Sequence, residues 1–332
     1  MNFAFSDEQV LLRDTARTLL ANECPSTLVR AHMDDRTAAD PLWAHERAFA
    51  ALGDGACTDL AIFAEETGYV AAPGPFFATT ALFAPLLGAI GHPLLDDVLA
   101  GSVTGTVALA GASGEWVTNG DPVKTFVPEA DRVDWIAVVD RGASVRLVTP
   151  ADATLREVST LDTTRPVFEV EVTATGGEPF AVTEDAVAAV VQRATVALAA
   201  ELVGTARRMF DMTLAYVKER HQFGVPIGSF QAVQHKLADV SLGVERAQSA
   251  AQYAAMALDA DDPDRHRAVH VAKAAAGEAA TRAAKDGIQL HGGIGYTWEH
   301  DLHLFIRRAY ASEHWMGNTA WHHDRLADLL FT

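Results

Sequence analysis

Basic residues are scarce in this chain: 26 Lys and Arg stand against 44 Asp and Glu in 332 residues, a formal charge of −18. A protein this acidic repels phosphate backbones, so nonspecific nucleic-acid binding is excluded as an expectation. Any anion it does bind must meet a local cluster of positive groups. Cysteine is nearly absent. Cys24 and Cys57 cannot build a disulfide framework and match no zinc-ligand spacing. The opening MNFAFSDEQVLLRD carries acid where a secretory signal would carry base and then an apolar run. No apolar run is read as long enough to span a bilayer. These absences lead to the expectation of a cytoplasmic protein with no membrane segment. What remains, 49% hydrophobic and 21% charged residues, is ordinary globular composition, and the length suits two or three structural units.

Ser6 followed by Gln9 reads as a capping box opening an amphipathic helix, with Leu12, Ala16 and Leu19 on one face. Alanine- and leucine-rich helical patterns continue to about residue 100, broken at Pro25, Pro41, Pro73, Pro75 and Pro93. From Val103 the texture changes to short β-branched runs, TVALA, KTFV, WIAVV, VRLV and FEVEV, separated by turn residues. Helical texture returns near Glu184. Ala186 to Glu219 contains no proline and a single glycine, which predicts one unusually long helix. The division is therefore residues 1–102 helical, 103–183 a small β unit and 184–332 a helical bundle, a mainly α architecture.

Two stretches in the last part carry chemistry. In KERHQFGVPIGSFQAVQHKLADV, Arg220 stands where a helix breaks, and a new helix begins near Ser229. Such a corner is either a plain turn, with Arg220 favoured by the helix dipole, or a cradle for something anionic and flat. QLHGGIGYTWEHDLHLFIRRA places Gly292, Gly293 and Gly295 after Gln289. Of the 13 histidines, His266 with His270 and His300 with His303 have ligand-like spacings. A di-metal bundle needs paired Glu-x-x-His motifs, which are lacking, so no metal is expected.

With the helix–β–helix order, these two motifs and the opening FAFSDEQVLLRDTAR resemble the acyl-CoA dehydrogenase family over nearly the whole chain. The resemblance implies an N-terminal α-helical domain, a middle β domain and a C-terminal four-helix bundle, assembled as tetramers with FAD at a subunit interface. It implies α,β-dehydrogenation of an acyl-CoA thioester, a glutamate taking the α proton and the flavin taking the β hydride. By the same resemblance Arg220 matches an arginine on the FAD pyrophosphate of a neighbouring subunit, and Phe223 an aromatic beside it. Gln231 matches a glutamine facing the adenosine half, and Gln289, Gly292 and Gly293 a segment holding that same half.

Three departures from the family pattern point one way. The usual base position is Met316, before Gly317, and the alternative position on the long helix is Ala194; neither side chain accepts a proton. Glu313 and Glu201 are the candidates for a displaced base. The family's Thr-Glu-Pro and Gly-Ser-Asp stretches, which line the flavin ring, are missing, because TGTVALAGASGEW runs almost directly into VTNG. Phe126 and Pro128 stand where the resemblance puts a flavin-contacting tryptophan and threonine, and proline offers no N–H. The groups that serve a neighbour's FAD are present, and those that build the chain's own flavin site are absent. The pattern resembles the short, non-catalytic subunit of heteromeric α2β2 enzymes that dehydrogenate steroid side-chain CoA thioesters in bacteria. That implies a catalytic partner subunit, an acyl-CoA substrate and an electron-transfer flavoprotein as acceptor. Two readings stay open beside it: a self-sufficient homomeric dehydrogenase with a relocated base, and a flavin-free structural or binding subunit.

Overall fold

The computed structural model describes residues 3–142, 144–172 and 179–331; Ala143 and residues 173–178 of the expected β unit lie outside the described residues. In chain order the helices before the β unit are α1 (Asp7–Glu23), α2 (Ser26–Asp34), α3 (Asp40–Glu46), α4 (Cys57–Val70), α5 (Ala84–Ile90) and α6 (Leu94–Leu99). A π-helical segment, Phe77–Phe83, leads directly into α5. The strands are β1 (Gly105–Ala108), β2 (Val123–Pro128), β3 (Trp135–Asp140), β4 (Ser144–Val148), β5 (Ala153–Val158), β6 (Val167–Val172) and β7 (Phe180–Ala181). Then come α7 (Glu184–Glu219), the two-residue strands β8 (His221–Gln222) and β9 (Val225–Pro226), α8 (Gln231–Asp259), α9 (Arg265–His291), α10 (Leu302–His314) and α11 (Thr319–Phe331). The chain divides into two compact units.

One unit comprises Met1–Val29, Ala61–Ala72 and Val196–Thr332. Ser6 caps α1 through the reciprocal box with Gln9. Helix α9 is its spine and packs against α8, α10 and α11. It can do so because its inner face is almost wholly alanine, from Ala268 to Ala284, which lets neighbouring backbones come near. Where α4 meets α7 the approach is closer still. A Cβ on Gly68 would lie 2.0 Å from the Glu201 carbonyl oxygen, and one on Gly204 1.8 Å from that of Glu65. Beside this crossing, Arg308 and Glu201 form a fully buried ion pair at 3.4 Å, and Arg308 also donates to the Ala72 carbonyl. Breaking one side of such a pair strands the other charge in the core.

The other unit comprises Arg30–Leu60 and Pro73–Thr195. Its β part holds a four-stranded sheet in the order β1-β3-β4-β7 and a three-stranded antiparallel sheet, β2-β6-β5. Val127, Ile136, Val138, Val148, Phe168 and Val170 form one apolar cluster drawn from both sheets. The pairing of β2 with β6 shifts register between Lys124 and Val127, and Phe126 in that bulge has φ +55°.

Helix α7 corrects one expectation. It is long and apolar enough to cross a membrane by length and composition, with a window of mean hydropathy 1.6. That window is 67% buried within the protein, as in the core helix of a folded domain.

Candidate functional site

The C-terminal ends of α7 and α9 meet through Tyr216. Its ring stacks on His291 at 4.4 Å between centroids, and its hydroxyl donates to the His291 carbonyl at 3.3 Å. His291 is itself fixed by donating from Nδ1 to the Gly287 carbonyl, 2.8 Å away. Arg220 follows one turn after Tyr216, while Gln289, Gly292 and Gly293 flank His291 on its other side. The Tyr216–His291 contact therefore joins the helix ends from which the two sequence motifs start.

Beyond Arg220 the chain makes a small hairpin, His221 opposite Pro226 and Gln222 opposite Val225. Its two turn residues are both left-handed, Phe223 at φ +54° and Gly224 at φ +81°. This is the backbone that Asn-Gly adopts without penalty; a bulky aromatic at the first position pays for it. Phe223 is also 93% exposed, touching Phe230 edge-on at 6.1 Å between centroids. Neither turn geometry nor packing within the chain calls for phenylalanine here. The Ile227 N–H closes the corner onto the Arg220 carbonyl at 2.8 Å, which leaves the Arg220 side chain on the surface.

Helix α8 then begins without a side-chain cap at Phe230, and its first residue, Gln231, is exposed. Uncapped N–H groups at the start of a 29-residue helix form the positive end of a dipole. Arg220, whose carbonyl closes the corner just before this helix, adds an exposed cationic side chain. At the glycines, Gly292 has φ +62° and ψ −139°, a conformation only glycine enters readily. Gly293 has no such need, and a Cβ there would meet nothing within 4 Å. Its missing side chain serves no contact inside this chain. Arginine, exposed aromatic, helix start and bare backbone together fit a phosphate-linked, flat ligand such as the pyrophosphate–adenosine half of FAD.

The β unit is arranged differently where a flavin ring would need donors. The segment between β1 and β2 is closed on itself. Asn119 donates to the carbonyls of Leu109 (2.7 Å) and Val117 (2.9 Å), and Asp121 accepts from the Ala112 N–H at 2.8 Å. Beneath it, Lys124, 1% exposed, donates to Asn119 Oδ1 at 2.7 Å. A Cβ on Gly114 would lie 3.3 Å from the Phe126 ring. Pro128 pairs with Val167 in the ladder. These residues satisfy one another and do not fit the isoalloxazine end of the cofactor.

The two base positions are equally closed. Ala194 is fully buried, and Met316 is buried at φ +59°. The turn around Met316 is gripped by a network whose centre, Lys273, carries no signal in the sequence motifs. Lys273, fully buried on α9, donates to the carbonyls of Glu313 (2.8 Å) and Gly317 (2.9 Å). Burial pushes its pKa down to about 7, with Glu313 opposing weakly. His322 Nε2 lies 3.2 Å from the Met316 carbonyl, and its Nδ1 lies 2.8 Å from His270 Nδ1. A carbonyl only accepts, so His322 carries its proton on Nε2 and receives one from His270 on Nδ1. Burial first, then Lys273 and His270, hold His322 down to a pKa of about 3. Glu313 Oε1 accepts from the Thr319 N–H at 2.8 Å at the start of α11. A lysine alone among alanines in VHVAKAAAGEAA was the available signal for this network, since α9 buries that face.

The comparisons bear on both halves of this picture. Residues 186–331 match the family described as acyl-CoA dehydrogenase, C-terminal domain. Acyl-CoA dehydrogenase IpdE2 of Mycobacterium tuberculosis is 33% identical over 320 residues, which is 92% of each chain. Acyl-CoA dehydrogenase FadE34 of the same organism is 37% identical over 279 residues, covering 80% of this chain but only 37% of FadE34. Among solved structures, the Tcur3481-Tcur3483 steroid ACAD superposes with a TM-score of 0.86 at 25% identity over 98% of both chains.

Proposed function

The chain belongs to the acyl-CoA dehydrogenase family, and on that premise we propose that it is the FAD-supporting, non-catalytic subunit of a heteromeric enzyme. The observation that carries this reading is an asymmetry. The hairpin and glycine turn present an arginine, an exposed phenylalanine in a costly backbone and a bare Gly293 with no use inside the chain. The segment between β1 and β2 and the turn at Met316 bond their polar groups within the chain, and neither usual base position, Met316 or Ala194, carries a carboxylate. A homomer would repeat the deficient half at every site; a partner with its own flavin pocket and glutamate would complete it.

In this reading the chain retains the family's three parts, 1–102, 103–183 and 184–332, and works in the cytoplasm. FAD, when bound, accepts the hydride that leaves the β carbon of the thioester. Arg220 holds its pyrophosphate by charge-assisted hydrogen bonds, and the exposed start of α8 adds a favourable potential. Phe223 packs against the partner side of the cofactor. Gln231, Gln289, Gly292 and Gly293 shape the adenosine site. Tyr216 and His291 position the glycine turn from below. The glutamate that removes the α proton belongs to the partner, and electrons pass on to an electron-transfer flavoprotein.

The size and naming of relatives support a two-component enzyme. FadE34 leaves nearly two thirds of its length outside the match. Tcur3481-Tcur3483 joins two components, and its being a steroid ACAD supports a steroid-derived acyl-CoA as the substrate class. The test is Arg220→Ala in the complex co-expressed with its catalytic partner. FAD retention should weaken by roughly 2–5 kcal/mol, the cost of leaving a buried phosphate without its arginine. Unchanged flavin occupancy would remove the assignment.

A further inference from the structure

A second site, independent of the cofactor hairpin, lies within the unit that contains the sheets. A cavity of about 240 Å³ has His32, Arg36, Trp43, Glu129, Arg132 and Asp134 in its wall. Glu129 stands out on three counts. Its side chain is 2% exposed, and Oε1 has no hydrogen-bond partner among the described residues. Its backbone is left-handed, φ +55°. The turn needs that backbone, since Glu129 N–H donates to the Pro166 carbonyl (3.1 Å) and the Arg132 N–H to the Glu129 carbonyl (3.0 Å). It does not need a glutamate, for which asparagine or glycine would be cheaper. A dry carboxyl with one oxygen unpaired, on a strained backbone, weakens the fold unless something completes it.

Arg36, Arg132 and Asp134 are already engaged with other groups. Arg36 pairs with Asp131 and with Glu157, each at 2.5 Å. Arg132 pairs with Asp40; the Arg165 guanidinium lies over the Phe77 ring at 5.1 Å and is the cation that acts most on the Glu129 carboxyl. Asp134 Oδ2 accepts from the N–H and hydroxyl of Thr104 at 2.8 and 2.9 Å. His32 Nδ1 donates to the Arg36 carbonyl at 3.1 Å. What the cavity lacks is a donor for Glu129. With Glu129 ionised, Asp40, Asp131, Asp134, Glu157 and Glu129 face Arg36, Arg132 and Arg165, an excess of negative charge that a cationic donor reduces.

We propose that this cavity binds a small organic cation, with a primary ammonium group hydrogen-bonded to Glu129. Burial first, then Asp131, raise the Glu129 pKa to about 7, against the lowering influence of Arg165, Arg36 and Arg132. Near neutral pH the carboxyl is therefore partly protonated. Binding an ammonium ionises it and releases that proton to solvent, and no other bond changes.

The experiment titrates the whole chain with n-butylammonium chloride by calorimetry and thermal unfolding, with tetramethylammonium chloride and sodium butyrate as controls. The expected result is saturable binding and a raised Tm with butylammonium alone, since tetramethylammonium has no N–H to donate. Near pH 7 the heat should vary with the buffer's ionisation enthalpy, and well above neutrality that variation should vanish. Glu129→Gln, which keeps the shape and removes the charge, should fold as the parent does and lose at least tenfold in affinity. Equal shifts from tetramethylammonium, binding that survives Glu129→Gln, no response beyond a sodium chloride control, or preferential binding of butyrate would each overturn the proposal.

Discussion

Replacing Lys273 with methionine tests the network that grips the Met316 turn. Methionine fills nearly the same volume but donates nothing, so the carbonyls of Glu313 and Gly317 lose donors at 2.8 and 2.9 Å. Each stranded carbonyl costs ~1–3 kcal/mol. Against this, burial has lowered the Lys273 pKa from 10.5 to about 7. At ~1.4 kcal/mol per unit, keeping this amine in the core at pH 7 costs roughly 4–5 kcal/mol. The two effects nearly cancel at neutral pH, and there the variant should be about as stable as the parent. Above it they separate. Between pH 7 and 10.5 the unfolded lysine holds a proton that the folded one has released, so parental stability rises with pH. The variant has no such group. Urea unfolding of both proteins from pH 7 to about pH 9 should show the parent pulling ahead by ~2–3 kcal/mol. A stability difference that does not change with pH, or one that moves the other way, would refute the reasoning.

Three further outcomes follow from the same geometry. Gly293→Ala should leave the isolated chain's Tm within a degree or two, because its Cβ meets nothing, yet should reduce FAD retention in the complex, measured by flavin absorbance after gel filtration. His322, held neutral with its pKa near 3, should make the fold acid-sensitive: stability falls as pH drops from 6.5 toward 3, by up to ~1.4 kcal/mol per unit, and His322→Gln should flatten that slope in pH-dependent unfolding. Met316→Glu, which returns a carboxylate to the family's usual base position, should on the half-site reading give no acyl-CoA dehydrogenation by the chain alone, because the proposal assigns the flavin ring to the partner; turnover in a dye-reduction assay would contradict that reading.

The architecture was legible because period and composition are strong signals over long segments. Helix α7 could be read from a proline-free run, and the capping box at Ser6 from four residues. The strand runs were visible as β-branched bursts, though β5, ATLREV, was passed over because charged residues interrupt it. The membrane-length test was misread: buried helix and membrane span share the same composition, and only packing separates them. Arg220, Phe223 and the glycines were legible as a motif. The contact between the helix ends that carry them was not, because it joins Tyr216 and His291, two residues far apart in sequence. Lys273, His270 and His322 were invisible as a network, since a lysine on a helix reads as solvent-facing until its neighbours are known. The Glu129 cavity depends on one residue's φ angle and on which arginines are already paired, and neither is written in local sequence.

The central claim rests most directly on flavin content and native mass, for the chain purified alone and then co-expressed with a full-length acyl-CoA dehydrogenase subunit encoded beside it. The account predicts a colourless chain alone, and a yellow hetero-oligomer carrying one FAD for each pair of chains. A yellow, active homomer with one FAD in every chain would contradict it.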